Sequence, residues 1–304
     1  MRNILRLYII INMKHLADKF KISNNKKFSL KDFDSGDTAD YKKEDAAIVL
    51  EELIKKTVAV QDELYAARKY SLLIIFQAMD AAGKDSAISH TMSGLNPQGC
   101  QVFSFKEPSI EEYEHDFLWR HYKALPESGR IGIHNRSHYE NVLITKVHPE
   151  LLLKENLPGL DSLKKLGKDF WEHRYHSIRE FEKHLHRNGT VIIKFFMHVS
   201  KEEQKERFLK RIDDPSKNWK FSETDVIERG YWNDYMKAYE KAIQETATPE
   251  NPWYVIPADK KWFTRIAISS IILETIKELN LKYPTLQKAE RDKLQEIKKK
   301  LEKE

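Results

Sequence analysis

Five short apolar runs along the chain predict the strands of a single sheet. They are rich in β-branched and aromatic residues and lie at Leu72–Phe76, Gln101–Phe105, Ile131–Ile133, Val191–Val199 and Trp253–Ile256. Between these runs, apolar residues recur at helical spacing among charged ones. Strands that alternate with helices predict an α/β fold, in which a mainly parallel five-stranded sheet carries helices on both faces.

Two further helical patterns flank this alternation. The first predicts an amphipathic helix over Glu44–Arg68, with apolar positions at Ile48, Leu50, Leu53, Ile54 and Val58. The second is the charged tail Lys288–Glu304, whose one apolar stripe is formed by Leu294, Ile297 and Leu301. A stripe of this kind indicates a packing or dimer seam, so a homo-oligomer, either a dimer or a tetramer, is expected.

The chain is predicted to comprise a leader over residues 1–30, one α/β domain over residues 31–285 and the charged helix over residues 286–304. Residues 1–12 are Arg-rich and then apolar, but they lack the cleavage site of a signal peptide, and a second methionine follows at Met13. We interpret them as a non-conforming leader or a mis-assigned start. No window approaches the run of about 20 apolar residues that spans a bilayer.

Composition narrows the class of protein. The chain has 304 residues, 40% of them hydrophobic, which is enough for one large α/β core. Its single cysteine, Cys100, excludes an intramolecular disulfide and favours a reducing, cytoplasmic location; the residue itself is expected to be a small, partly buried hydrophobe. Because the net charge is only +5, a polyanion site must be a local concentration of cations.

The first strand runs directly into a glycine–lysine turn, Ala78–Asp85. This pattern resembles the phosphate-binding loop G-x-x-x-x-G-K-[ST], with Ala78 in place of the first glycine and Asp85 in place of the hydroxyl residue. Backbone N–H groups, the positive end of the next helix and the lysine bind phosphate in such loops. The predicted phosphate ligands here are Ala81, Ala82, Gly83, Lys84 and Ser86.

The loop also contains carboxylates suited to a metal. Asp80 and Asp85 are hard oxygen ligands for Mg²⁺, and Ser86 offers a hydroxyl one position late. The alternative is an ordinary helix N-terminus with a capping aspartate and a chance lysine. The strand that precedes the loop favours phosphate binding.

A second polar turn follows the strand at Ile131–Ile133. Asn135 stands where a phosphate-loop enzyme usually places its second magnesium ligand, and Glu140 could restore the missing charge. Arg136 is placed to neutralise charge on a phosphoryl group during transfer. The alternative is a capping asparagine and a structural arginine.

Several separated motifs, taken in order, resemble the type 2 polyphosphate kinase family. They are Asp80–Asp85, Phe117–Arg120, Gly129–Glu140, Phe170–Glu172 and Asn218–Ser222, and the resemblance covers about residues 30–285. It implies a P-loop kinase fold similar to that of thymidylate kinase. It also implies Mg²⁺-dependent transfer of a phosphoryl group between inorganic polyphosphate and adenine nucleotides, with Mn²⁺ as the alternative metal and guanine nucleotides as alternative substrates.

The resemblance also implies roles for individual residues. Asp80 corresponds to the metal-organising carboxylate, Lys84 to the phosphate-binding lysine, Asp85 to the acid that follows and Arg136 to the second-motif arginine. The form Asn-Arg-Ser-His-Tyr-Glu, which ends at Glu140, is similar to the class that phosphorylates both AMP and ADP. The chain departs from the common pattern with Ser86 where glycine is frequent and His134 where phenylalanine is frequent.

The segment Lys201–Arg229 is predicted to be a lid that closes over the donor. Its candidate polyphosphate ligands are Arg207, Lys210, Arg211, Lys217, Lys220 and Arg229. The segment has eight basic and eight acidic residues, so a solvated and self-paired helix is the alternative. The resemblance favours the lid.

Two weaker candidates follow other strand and helix ends. Lys106 comes after the second strand and Arg120 after an aromatic helix face, so either could line a nucleotide site or be a surface charge with a buried stem. The nucleotide ligands we expect are Lys106, Arg120, Asn135, Arg136 and Glu140, and the metal ligands are Asp80, Asp85 and Asn135. The twelve histidines lack the ligand pairing of a zinc site.

Two other classes of function stay open on the sequence. An ATP-dependent kinase of a small molecule or nucleotide would share the loop and the acids, but it would need no long track of cations. A non-catalytic polyanion-binding module would need only the charges. Nucleic acid is not expected as a partner, since the chain has no strongly basic stripe or exposed aromatic platform, and neither is a membrane.

Overall fold

The structure is a computed structural model that describes residues 16–24 and 27–304, apart from the side chain of Lys220. Its centre is a six-stranded sheet in the order β1-β6-β5-β2-β4-β3. The strands are β1 Lys21–Ile22, β2 Ser71–Gln77, β3 Cys100–Ser104, β4 Ile131–Asn135, β5 Thr190–His198 and β6 Trp253–Pro257. The pairs among β2 to β6 are parallel, and β1 is antiparallel to β6.

Helices cover the sheet, as the alternating pattern predicts. The α-helices are α1 Ala46–Ala67, α2 Lys84–Met92, α3 Ile110–Tyr113, α4 Trp119–Tyr122, α5 Ile144–Val147, α6 Lys168–Arg187, α7 Lys201–Asp213, α8 Glu223–Gly230, α9 Trp232–Thr246, α10 Lys261–Glu278 and α11 Lys288–Leu301. Short 3₁₀ helices lie at Leu30–Asp32, Lys43–Asp45, Pro97–Gly99, His138–Val142, Pro149–Glu155, Leu163–Lys165 and Asn218–Lys220. In the part of the chain described, no helix is long and apolar enough to cross a membrane.

The number of strands corrects the prediction of five. The sixth strand, Lys21–Ile22, pairs with Tyr254 and Trp253 at the edge of the sheet. Residues 16–20 before it are helical, and Leu16 and Phe20 are buried in the main core. A two-residue strand is too short to show an alternating pattern, which is why the sequence did not predict it. The core thus includes residues before position 31, whereas residues 1–12 of the predicted leader lie outside the described residues.

The register of the central strands positions the two polar turns. Every residue of β2 is buried, and β2 lies between β5 and β4. Phe76, near the end of β2, is opposite Asn135 at the end of β4. Because parallel strands end at the same edge of a sheet, the turns after these two strands are neighbours.

The structure also shows how exposed the residues of three other predicted features are. In α1, Leu53 is buried as expected, but Ile48 is 42% exposed, because the buried face includes Val49 and Thr57 instead. The stripe of α11 is exposed, so the homo-oligomer stays a prediction. Cys100 is partly buried, and burial raises the pKa of its thiol to about 11, as suits an unreactive thiol.

A fully buried ion pair, which no sequence pattern predicts, lies inside the core. Lys194 in β5 donates to Glu182 Oε2 of α6 at 2.6 Å and also to the Tyr139 hydroxyl at 3.0 Å. The Tyr139 hydroxyl donates to Glu182 Oε1 at 2.7 Å. Burial by itself raises the pKa of Glu182, but Lys194 and His138 hold that pKa below its usual range. The pair joins β5 and α6 to the chain segment that follows β4.

Removing one partner of this pair should be costly. In Lys194→Met the buried carboxylate of Glu182 loses its cation, so we expect the free energy of unfolding to fall by about 3–5 kcal/mol, measured by urea denaturation. Lys183→Met, which removes an exposed lysine paired with Glu180, is the control and should change it by less than about 1 kcal/mol. Equal losses in the two variants would contradict the assigned role of the buried pair.

Candidate active site

The loop after β2 makes its turn with two residues in the left-handed region. Ala81 has φ +58° and Gly83 has φ +103°, and Gly83 is the N-cap of α2. The turn is closed by a hydrogen bond from the backbone N–H of Ala82 to the carbonyl of Met79. The first turn of α2 then begins at Lys84, where backbone N–H groups have no partner within the helix.

Side chains of helix α7 donate hydrogen bonds to the carbonyl groups of this loop. Gln204 donates to the Asp80 carbonyl at 2.9 Å, and Arg207 donates to the carbonyls of Ala81 and Ala82 at 3.1 and 2.7 Å. In a trans peptide the C=O and N–H groups point in opposite directions. The contacts therefore turn the N–H groups of Ala81 and Gly83 away from α7.

Arg207, which the sequence predicts as a polyphosphate ligand of the lid, is engaged by the protein itself. Its side chain is buried, and it also donates to the carbonyls of Ala258 and Asp259 at 2.6 and 3.2 Å. Its Nε bonds Glu203 at 2.8 Å. Because these acceptors engage the guanidinium throughout, Arg207 supports the loop structurally.

Lys84 lies folded onto its own loop. Its ammonium group donates to the carbonyls of Ala78 at 2.8 Å and Met79 at 3.4 Å. Burial lowers the pKa of Lys84, while the neighbouring carboxylates of Asp80, Glu140 and Asp85 act in the opposite direction. The lysine is thus at the centre of an acidic group of side chains.

The turn after β4 joins the same cluster. Arg136 is also left-handed, with φ +64°, and its backbone N–H donates to the Phe76 carbonyl at 3.1 Å. Its guanidinium lies 3.2 Å from Asp80 Oδ1. Burial raises the pKa of Glu140, while Arg136 and Lys84 partly offset that rise. The structure therefore brings together Asp80, Lys84, Arg136 and Glu140, all of which the sequence singled out.

Oxygen-bearing side chains lie beside this cluster. Asn135 donates its Nδ2 to Asp85 Oδ1 at 2.8 Å, and within the described residues its buried Oδ1 has no hydrogen-bond partner. Among those residues, no three His, Cys, Asp or Glu side chains are grouped as a complete metal site. Such a donor set fits Mg²⁺, which keeps several waters and binds through one or two carboxylates together with substrate phosphates.

A cavity of about 380 Å³ opens beside Arg136 and Glu140. Its wall combines aromatic rings with polar groups and with charges of both signs, and two of its cations are already paired, Arg120 with Glu112 at 3.2 Å and Lys154 with Glu107 at 2.8 Å. Its other lining residues include Phe105, Tyr113, Phe117, Lys106, Asn141 and Thr145. Arg120 donates to the Lys106 carbonyl at 2.8 Å and lies over the Phe105 ring. Lys106 and Arg120, which the sequence proposed for a nucleotide, therefore lie on one cavity wall. Its dimensions and mixed lining suit a small organic ligand with polar and charged groups.

The remaining lid cations are mostly engaged by the protein. Arg229 donates to the Lys201 carbonyl and to Gln204 at 2.7 and 2.8 Å, and Arg211 lies 3.5 Å from Asp225. Lys217 pairs with Asp214. Lys210 is exposed, and the side chain of Lys220 lies outside the described part of the structure. The self-paired alternative therefore describes much of this segment.

Sequence reasoning missed several neighbours of the site. Gln204 and Tyr239 come from α7 and α9, far along the chain, and no motif marks them. Burial raises the pKa of Tyr239 well above its usual range, so a neutral hydroxyl lies near Arg136 and Glu140. His134 is buried too, which lowers its pKa to about 4 and keeps it neutral. The Gln77 amide, at the end of β2, donates to the Ser137 hydroxyl at 3.0 Å.

Comparison with known proteins identifies relatives over nearly the whole chain. The family model "Polyphosphate kinase 2 (PPK2)" matches residues 38–284. An ADP-polyphosphate phosphotransferase of Rhodopseudomonas palustris is 49% identical over 95% of this chain and 99% of its own length. An AMP/ADP-polyphosphate phosphotransferase of Meiothermus ruber is 41% identical over 88% of this chain and 95% of its own. The crystal structure of a polyphosphate kinase 2 from Arthrobacter aurescens TC1 is similar with a TM-score of 0.82 and 38% identity, covering 92% of this chain and 96% of that one.

The support that Arg207 gives to the loop can be tested directly. Arg207→Met removes the donor from the Ala81 and Ala82 carbonyls, so we expect faster hydrogen exchange in the loop peptide. The free energy of unfolding should fall by about 1–3 kcal/mol. Lys205→Met, on the exposed side of the same helix, should change neither quantity. Wild-type exchange of the loop in Arg207→Met would contradict this role.

Proposed function

The chain belongs to the polyphosphate kinase 2 family and is a polyphosphate-dependent nucleotide phosphotransferase, and we propose that it phosphorylates both AMP and ADP with Mg²⁺ as its metal. One observation carries the assignment of the site. The ends of β2 and β4 bring Lys84, Asp80, Arg136 and Glu140 into one charged cluster, onto which the 380 Å³ cavity opens. A donor and an acceptor could therefore meet at that cluster.

The donor phosphates would bind at the loop. The N–H groups of Ala81 and Gly83, turned away from α7, and those of the first turn of α2 are preorganised for phosphate oxygens. Lys84 would exchange the Ala78 and Met79 carbonyls for the outer phosphates of the chain. Apart from Lys84, the groups that hold the donor are thus in position before it arrives.

The acceptor would enter through the cavity. Its base and sugar would lie among the aromatic rings and polar groups of the wall, where Lys106 offers positive charge and Arg120 is held by Glu112 at 3.2 Å. Arg136, at the inner end, would neutralise the phosphoryl group as it moves between the two oxygens. In-line transfer needs this positioning and charge neutralisation, and no phosphorylated enzyme intermediate.

Asp80, Asp85 and Asn135 would hold the metal. Asp80 is bonded to Arg136, and Asn135 to Asp85, so the three oxygen-bearing groups are positioned relative to each other. A bound Mg²⁺ supplies charge neutralisation to the phosphate oxygens. The freedom of Asn135 Oδ1 from any described hydrogen-bond donor supports its role as a ligand, directly or through a metal-bound water.

The acceptor class rests on Glu140. This carboxyl lies beside Arg136 and lines the cavity, so an incoming nucleotide phosphate meets it directly. The two relatives differ in name, one after ADP alone and the other after AMP and ADP. The turn Asn-Arg-Ser-His-Tyr-Glu, which ends at Glu140, supports the broader acceptor class for this chain.

Product analysis tests the function. Purified protein is incubated with Mg²⁺, long-chain polyphosphate and either AMP or ADP, with ATP as the rival donor, and nucleotides are separated by chromatography. We expect ADP and ATP to form from polyphosphate. Product from ADP alone would overturn the proposal for Glu140, and transfer from ATP without transfer from polyphosphate would overturn the donor assignment.

Lys84→Met should remove most of the turnover while the fold survives. The lysine contacts loop carbonyls and supports little of the core, so the thermal unfolding midpoint should stay close to that of the wild type. Loss of its charge at the phosphates should reduce kcat by about 10²–10³-fold. Lys55→Met, on the exposed face of α1, is the control and should retain full activity. Near-normal turnover in folded Lys84→Met would contradict the site.

A further inference from the structure

Gln77 is a buried amide at the end of a strand whose central residues are all apolar. It is the last residue of β2, and its side chain lies inside the protein, with an exposed fraction of 1%. Among the residues that the structure describes, its Oε1 atom has no hydrogen-bond partner. A buried acceptor without a donor costs stability, and a methionine of similar size would avoid that cost. Packing alone therefore does not explain the amide at this position.

The Gln77 amide reaches the polar turn that follows β4. Its Nε2 donates to the hydroxyl of Ser137 at 3.0 Å, and Ser137 is itself fully buried. The same hydroxyl accepts the backbone N–H of Tyr139 at 3.2 Å, which makes Ser137 the N-cap of the 3₁₀ helix His138–Val142. Gln77 therefore fixes the residue at which the helix that carries Glu140 begins.

The same amide acts on the carboxylate of Glu140. A glutamine amide has two N–H groups, so one remains after the bond to Ser137. Burial raises the pKa of Glu140, while the charges of Arg136 and Lys84 lower it. A hydrogen bond from Gln77 lowers that pKa as well. The strand that leads into the phosphate loop thus contacts the carboxyl group that lines the cavity.

We propose that Gln77 is a positioning residue for AMP, because it holds both the carboxylate of Glu140 and the start of the 3₁₀ helix that carries it. This inference rests on the proposed function. ADP brings two phosphates to the charged cluster and AMP brings one, so AMP has fewer contacts of its own and depends more on protein groups already in place. Since its side chain is buried, Gln77 acts through Glu140 and does not touch the nucleotide.

Gln77→Met tests this role with a side chain of the same length that cannot donate a hydrogen bond. With polyphosphate as the donor, kcat/KM for AMP should fall by about tenfold, mainly through a higher KM, because Glu140 loses a charge-assisted hydrogen bond. For ADP, kcat/KM should stay within about threefold of the wild-type value. The two acceptors are compared in the same preparation of folded protein.

Gln61→Met is the matched control. It replaces a glutamine in α1 that is also 1% exposed and that exchanges hydrogen bonds with the backbone of Asn96 at 2.8 and 3.0 Å. The thermal unfolding midpoint of this variant should fall, because buried hydrogen bonds are lost. Its ratio of AMP to ADP activity should nevertheless equal that of the wild type.

A double-mutant cycle separates positioning from a general structural effect. In a Glu140→Gln background, Gln77→Met should cause little further loss of kcat/KM with AMP, because a residue that acts through a carboxylate has no effect once that carboxylate is gone. Losses that multiply would overturn the inference. So would a wild-type ratio of AMP to ADP activity in folded Gln77→Met.

If Gln77→Met fails to fold, Gln77→Glu decides the question. It keeps the size and polarity of the side chain but places a second carboxylate beside Glu140, so the same selective loss with AMP is expected. Undiminished use of AMP by Gln77→Glu would overturn the inference. A wild-type protein that phosphorylates ADP but not AMP would instead overturn the proposed acceptor class.

Discussion

The parallel pairing of β2 with β4 is the constraint on which the site depends. It places Phe76 opposite Asn135, and the backbone N–H of Arg136 continues the ladder by bonding the Phe76 carbonyl. This last bond holds Arg136 in the left-handed region, where an arginine stays only if its surroundings fix it. The position of the guanidinium against Asp80 therefore follows from backbone pairing, and side-chain attraction alone would not specify it.

A second constraint links the predicted lid segment to the loop. Gln204 and Arg207 of α7 donate to the loop carbonyls, and Arg229, in the last turn of α8, donates to Gln204 in turn. The part of α7 up to Arg207 is therefore fixed to the loop by hydrogen bonds. If the segment moves as a lid, the motion is confined to the residues between Arg207 and Arg229, where Leu209, Ile212 and Val226 expose apolar surface.

The central strands and the charged cluster were predictable because both rest on local patterns. Buried parallel strands are continuous apolar runs, and the rule that ligands bind at their carboxyl ends placed Asp80, Lys84, Arg136 and Glu140 together. The sequence could not show which groups these side chains contact in the folded chain. It showed the charge of Arg207 but not the carbonyls that engage it, and it showed Lys194 inside an apolar strand but not Glu182. The cavity was likewise unpredictable, since its wall is assembled from separate segments.

The resting position of Lys84 has a consequence for selectivity. Its ammonium group already donates to two carbonyls of its own loop, which leaves one of its three N–H groups for another acceptor. A single inorganic phosphate offers few compensating bonds, whereas a linked chain brings several phosphates to neighbouring donors at a high effective concentration. If the loop binds phosphates as proposed, orthophosphate in the surrounding solution would therefore compete poorly with a multivalent donor.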